Sequence, residues 1–210
     1  MSHDESGPSG RAFWERNAAR YDGSMALLGG PIPMAVAGSV EAVRGAGRVL
    51  EVACGTGLFS EAVASVVGEL VATDYAAAMV ARTRARVAGA SNVRCEVRDL
   101  YDLGSDLHDF DAVLAANVLH LLPDLEGGLA AMRAALHPGG HLVVPTYCHA
   151  QTAVSRTVSS ALALVSFPGR RRFDLAGLSA AVGQAGFAVE RTELLPGLLP
   201  IGFVCARREG

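Results

Sequence analysis

The hydrophobic pattern of the chain changes rhythm near residue 48, and the elements on either side of that point predict different jobs. Over residues 11–21 the apolar positions Phe13, Trp14, Ala18 and Tyr21 recur at helical spacing. A looser stretch with Gly29, Gly30, Pro31 and Pro33 follows, and a second helix is predicted over 34–43. Beyond it, short apolar runs alternate with longer helical ones. Strands are predicted over 48–52, 69–73, 93–97, 110–115 and 141–146, and helices over 58–67, 76–87 and 125–136. Two further helices are expected over 153–165 and 175–184. The end of the chain differs: 187–194 and 199–206 have strand character and are joined by Leu195-Pro196-Gly197-Leu198, short enough for a hairpin.

Strand–helix alternation with near-continuous apolar strands implies right-handed crossovers and a parallel sheet buried on both faces. The fold class expected is therefore α/β: a Rossmann-like, seven-stranded, mostly parallel sheet with a C-terminal antiparallel hairpin and helices on both faces. Residues 1–10, polar and rich in Gly, Pro and Ser, are expected to be a disordered tail. Residues 11–210 are expected to form one domain, with N-terminal lid helices over 11–44.

Composition narrows the function classes. Half of the 210 residues are hydrophobic and 19% are charged, enough apolar material for a sizeable core. A formal charge of -3 argues against a nucleic-acid binder, which needs a basic face to displace counterions. The one dense basic cluster, Arg170 to Arg172, reads as a solvated loop. Cys54, Cys95, Cys148 and Cys205 lie in separate segments without C-x-x-C pairing, so no disulfide scaffold is expected. No apolar run is long enough for a signal peptide or a membrane span, and a soluble, cytoplasmic protein is expected. No side chains show metal-ligand spacing, and no metal is expected.

The candidate chemistry sits at the strand ends. In Val49-Leu50-Glu51-Val52-Ala53-Cys54-Gly55-Thr56-Gly57, the two glycines let the backbone turn sharply between the first strand and its helix and approach a ligand closely. The free N–H groups of that helix face the crevice above the strands. A dinucleotide site would carry a third glycine where Ser60 stands. Instead, Glu51 ends the first strand and Asp74 the second. A carboxylate at Asp74 can accept from both ribose hydroxyls of a nucleoside. Asp99, after the third strand, is placed to accept from an adenine amine, and the Leu100 N–H to donate to a ring nitrogen. The plainer reading of either aspartate is a helix cap.

These residues resemble the class I S-adenosylmethionine-dependent methyltransferases. Glu51 to Gly57 is similar to their glycine-rich first motif, with Ala53 where the family often has glycine. Ala72-Thr73-Asp74-Tyr75 with Met79 resembles the second-strand motif, Phe110 to His120 the fourth-strand motif, and Leu136-His137-Pro138-Gly139-Gly140 the turn before the fifth strand. Phe13-Trp14 and Ala19-Arg20-Tyr21-Asp22 resemble the lid helix of members that methylate small molecules and lipid-like acceptors. The resemblance spans residues 11 to 208 and implies S-adenosylmethionine as cofactor and a small-molecule acceptor as partner, with no nucleic acid and no membrane contact. It implies that Glu51, Ala53 and Gly55 hold the methionine end, that Gly57 allows close approach and that Asp74 takes the ribose. Tyr75 and Met79 would flank the adenine, Asp99 and Leu100 address its edge, and Asn117 and Val118 sit beneath the sulfonium.

Methyl transfer depends chiefly on positioning and exclusion of water, and only some acceptors need a base. The candidates for catalysis are His120, His149 and Tyr21. His120 follows the fourth strand, either facing the crevice or bonding the sheet edge. Cys148 and His149 follow the fifth, where acceptors sit in this fold. Tyr21 lies on the lid segment, where it would also cover the cofactor. The apolar stretches 25–36 and 148–173 favour an aromatic or lipid-like acceptor. Alternatives are a membrane-associated acceptor such as a quinone or phospholipid head group, a non-catalytic S-adenosylmethionine-binding domain, and a nicotinamide dehydrogenase.

Overall fold

The computed structural model describes residues 10, 11, 14, 15, 30–164 and 171–210. Seven strands form one sheet in the order β3-β2-β1-β4-β5-β7-β6: β1 (Arg48–Val52), β2 (Glu69–Asp74), β3 (Val93–Val97), β4 (Phe110–Leu114), β5 (Leu136–Tyr147), β6 (Phe187–Leu195) and β7 (Ile201–Arg208). The first five are mutually parallel, and β7 runs antiparallel between β5 and β6. The helices are α1 (Ile32–Val43), α2 (Leu58–Ala64), α3 (Ala77–Arg86), α4 (Leu125–Ala135), α5 (Ala153–Leu164) and α6 (Leu175–Gln184), with a single 3-10 turn at Leu119–Leu121.

Alternation along β1 shows how the sheet is covered. Leu50 and Val52 point to one face, where Leu129, Met132 and Ala135 of α4 and Leu178 and Val182 of α6 complete the larger core. Val49 points to the other, against Val43 of α1 and Phe59 and Val63 of α2. On that same side α3 packs Val80 and Val87 over Ala72 and Cys95. Both faces of the central strands are covered, and the polar residues of β1, β2 and β4 lie near the strand ends. Asp124 and Asp174 start α4 and α6 by accepting the N–H groups of Gly127 and Gly177 at 2.9 and 2.7 Å.

Several boundaries differ from those expected. The helix α1 was expected to belong to the lid, but it lies on the sheet: Ala35 and Val43 are buried in the core. A Cβ on Gly38 would come within 3.0 Å of the Phe203 ring, so the glycine allows the close approach. The fifth strand begins at Leu136, within the expected turn, because Leu136 pairs with Phe110. A register shift between Phe110 and Ala112, together with Gly139 at φ 85, absorbs that turn inside the strand. The helix α2 ends at Ala64, short of 67, since the Gly68 N–H turns back to bond Ala46 O at 2.9 Å. The last strand starts at Ile201 because Pro200 has no N–H to give to the ladder. Of the expected tail, residues 1–9 lie outside the described residues, and Gly10 is buried.

Candidate active site

The loop after β1 makes three left-handed residues in five: Ala53 at φ 52, Gly55 at 57 and Gly57 at 82. Thr83 of α3 holds it, donating its hydroxyl to Gly55 O at 2.9 Å and lying 3.4 Å from Cys54 Sγ. A Cβ on Gly57 would lie 2.9 Å from Thr83 Cα. Replacement of Gly57 by alanine therefore forces both an unfavourable φ and a backbone clash. It should cost about 1–3 kcal/mol of stability, read as a lowered Tm in thermal unfolding.

Asp74, at the end of β2, ties this loop to the next. Its Oδ2 accepts from the Gly55 N–H at 3.0 Å, and its Oδ1 from the Ala76 N–H at 2.9 Å. The side chain is buried, and burial raises its pKa to about 6 against the lowering effect of these bonds. The helix-cap reading thus holds in part: Asp74 closes the turn into α3 while keeping lone pairs on both oxygens for further donors. Glu51, on β1, is buried beneath the loop and accepts from the Ser60 hydroxyl. Burial raises its pKa to about 8, with the nearby Asp74 carboxylate adding to the shift. Ser60 therefore stands in place of a third glycine for a reason: its hydroxyl is the hydrogen-bond partner of this acid.

Two features here were missed from the sequence. The helix α3 has no side-chain cap of its own at Ala76. Glu15, sixty residues earlier, supplies it, accepting from the Ala77 N–H at 2.7 Å and the Ala78 N–H at 3.0 Å. Beside it Trp14 packs on Ala76 and Met79, and the Arg11 guanidinium lies 5.7 Å from the Tyr75 ring centre. The N-terminal segment is thus fastened to the loop that carries Asp74. A helix start lacking Ser, Thr, Asp or Asn at its cap was the available signal. The second missed feature is the Thr83 brace, which no local pattern announces.

After β3, Asp99 uses Oδ1 to accept from the Tyr101 N–H at 3.0 Å in a tight turn, and the Leu100 side chain is buried in the larger core. After β4, Asn117 adopts φ 53, and its N–H donates to Pro145 O at 2.7 Å. Its Oδ1 is buried without a hydrogen-bond partner among the described residues. Val118 is buried against the core. His120, on the 3-10 turn, comes together with Tyr147 at the end of β5 and with His149 just past it. The His120 and His149 ring centres are 5.4 Å apart, and Tyr147 lies 6.2 Å from the first and 6.1 Å from the second. His120 Nδ1 and both ring nitrogens of His149 are buried without partners among the described residues. So His120 faces its neighbouring rings, and Nδ1 makes no bond to the sheet edge.

Cys148 departs from the expectation of pocket lining. Strand alternation turns its side chain to the opposite face from Tyr147, into the larger core, and its thiol is pushed up to about 11 by burial. The arginine cluster is also more than a solvated loop. The Arg171 N–H donates to His120 O at 3.1 Å, and its guanidinium bonds the carbonyls of Leu122 and Pro123, which fastens the turn carrying His120. Tyr21 lies outside the described residues. Among the described residues no helix is long and apolar enough to cross a membrane.

Two groups of residues thus lie at the carboxyl ends of the strands: Glu51, Gly55 and Asp74 at those of β1 and β2, and Asn117, His120 and His149 just past β4 and β5. They meet where the strand order reverses, between β1 and β4, the place where open α/β sheets bind ligands. Residues 49–140 match the family model of the methyltransferase domain. Over that stretch, from β1 into β5, the chain is similar to a methyltransferase domain. It is 35% identical over 97 residues to a demethylmenaquinone methyltransferase of Clavibacter sepedonicus, covering 46% of this chain and 40% of that protein. It is 34% identical over 132 residues to an uncharacterized protein of Synechococcus sp., covering 60% of this chain and 31% of that protein. The chain thus spans less than half the length of these curated relatives. Among solved structures, the DhpI–SAH complex superposes with a TM-score of 0.73 at 22% identity, covering 100% of this chain and 99% of that one.

Proposed function

We propose that this protein transfers the methyl group of S-adenosylmethionine to a small apolar or aromatic acceptor. The observation that carries the reading is the pair of buried acids, Glu51 and Asp74, on either side of a left-handed glycine loop. Glu51 has no cationic partner among its bonds, and burial disfavours its charge, so its site suits a cationic group brought by a ligand. Asp74 keeps lone pairs for a diol, and the unpartnered Asn117 Oδ1 suits a further donor. This set of acceptors fits S-adenosylmethionine, whose methionine end carries an ammonium, whose sulfur is a sulfonium and whose ribose is a diol.

In this reading Glu51, Ala53, Gly55 and Gly57 take the methionine end, and Asp74 takes the ribose. Tyr75, Met79, Asp99 and Leu100 surround the adenine, and Asn117 and Val118 lie beneath the sulfonium. When bound, the cofactor supplies an electrophilic methyl group. The chain's own contribution is to orient the acceptor, keep water out and hold it beside His120 and His149. Glu15 and Trp14 dock beside the loop that carries Asp74, on the cofactor side.

Calorimetry with S-adenosylhomocysteine, followed by transfer of labelled methyl to a panel of small acceptors, tests this. Binding of the product and label in a small molecule are expected. Tight NADH binding with none of the product would overturn the reading in favour of a dehydrogenase, and binding without transfer to any acceptor would favour a non-catalytic domain. The likeness to a demethylmenaquinone methyltransferase favours a second reading, a membrane-associated quinone acceptor. Label recovered only with quinone-loaded vesicles would establish it.

A further inference from the structure

The cluster of His120, Tyr147 and His149 contains more unsatisfied hydrogen-bonding capacity than any other buried place among the described residues. Three of its ring nitrogens, His120 Nδ1 and Nδ1 and Nε2 of His149, are buried without partners. Leaving such atoms bare in a closed interior is costly, and native proteins fill such places with water or ligand. The cluster sits at the ends of β4 and β5, across the reversal point from Glu51 and Asp74. It lies on the acceptor side of the crevice.

We propose that His120 and His149, with the Tyr147 ring beside them, form the recognition site for a neutral aromatic acceptor bearing a hydroxyl group. This rests on the methyltransferase reading above and goes further by naming the acceptor's chemistry.

A neutral imidazole has one N–H and one bare nitrogen. His120 and His149 leave three ring nitrogens unpaired among the described residues, and a hydroxyl lying between the two rings can accept from the N–H of one and donate to the bare nitrogen of the other. Both rings stay neutral at ordinary pH: burial lowers His120 to about 3, and burial together with the Arg172 charge lowers His149. No carboxylate is among the causes that shift either histidine, whereas Arg172 bears on His149, so an ammonium acceptor would be desolvated without compensation. The three rings meet edge-on or tilted, with centres 5.4 to 6.2 Å apart, an aromatic cluster that a flat ligand extends. The turn carrying His120 is held by Arg171, and the shortness of the link from Tyr147 to His149 fixes the other two rings to β5.

The test uses the full chain saturated with S-adenosylhomocysteine and three probes of similar size: catechol, benzylamine and benzoate. Catechol should bind about tenfold or more tightly than the two charged probes in calorimetry, as loss of a hydrogen-bonded partner commonly costs. Imidazole nitrogen resonances assigned to His120 and His149 should shift with catechol. His149→Phe and His120→Phe keep a ring but remove the nitrogens, and each should weaken catechol about tenfold while product binding stays within about twofold. His149→Gln retains a donor and an acceptor and should recover part of the loss, which a purely structural role for His149 would not produce. If the Phe variants do not fold, the resonance shifts and the Gln variant decide. Benzylamine or benzoate binding as tightly as catechol would overturn the proposal. So would catechol binding that leaves the histidine resonances unmoved, or no catechol binding by a protein that holds the product. Failure to bind the product at all would instead remove the methyltransferase reading, and the catechol shifts would still judge the pocket.

Discussion

Asp74→Ala is expected to weaken S-adenosylhomocysteine binding by about 10²–10⁴-fold, the largest single-residue effect in the site. Two charge-assisted bonds to a ribose diol contribute about 1.5–3 kcal/mol each, and every 1.4 kcal/mol is a factor of ten. The same substitution also leaves the Gly55 and Ala76 N–H groups without their acceptor. Loss of loop geometry must therefore be separated from loss of ligand bonds. Asp74→Asn does this, because it retains one acceptor oxygen and removes the charge. In the unliganded protein the Asp74 carboxylate has a pKa of about 6, above its ordinary 3.8, chiefly through burial. Its charge is thus destabilising at pH 7, which offsets in Asp74→Asn the loss of one of the two backbone acceptors, so this apoprotein should be more stable than Asp74→Ala while still binding the product more weakly than wild type. A loss of affinity out of proportion to the loss of Tm identifies Asp74 as a ligand residue. Equal affinities of wild type and Asp74→Ala would assign it to loop structure alone.

Glu51 should make cofactor binding depend on pH. Burial gives its carboxyl a pKa of about 8, against an ordinary 4.5. A raised carboxyl pKa means that the folded protein holds the proton more tightly than the unfolded chain. The associated stability is complete below about pH 4.5 and is lost as pH rises through 8, on the order of a few kcal/mol. A ligand that sets its ammonium beside Glu51, as the amino-acid end of S-adenosylhomocysteine would, reverses the preference by favouring the carboxylate. Binding between pH 6 and 8 should therefore release about one proton, and the affinity for S-adenosylhomocysteine should rise about tenfold per pH unit until it levels near 8. Calorimetry in buffers of different ionisation enthalpy measures the proton count directly. Glu51→Gln keeps the acceptor for Ser60 but cannot ionise, so it should flatten the profile, bind weakly throughout and stabilise the apoprotein above pH 8. A wild-type profile that is already flat, or proton release that persists in Glu51→Gln, would show that Glu51 does not face the cation.

How much of this was legible in one dimension depends on the range of each interaction. The sheet and its crossovers follow from apolar periodicity and from the alternation of short and long runs, both local properties. The glycine loop was legible because left-handed backbone at Gly55 and Gly57 favours a residue without Cβ, and Glu51 and Asp74 stood out as acids at the ends of apolar strands, where the structure buries them. Element ends were less so, because pairing partners set them: Leu136 joins β5 through Phe110, which lies far from it in the chain.

Only the folded structure decided how the site is held and which side chains share it. Glu15 caps a helix that begins at Ala77, and Thr83 supports a loop that it never adjoins in sequence. Cys148 and His149 are neighbours in the chain, yet the strand's alternation sends one to the core and the other to His120 and Tyr147. A residue's type and immediate neighbours determine what backbone it can adopt and what chemistry it can offer. Which face it occupies, what covers it and whether its polar atoms find partners depend on contacts between segments that are distant in the chain, and those exist only once the sheet has closed over them.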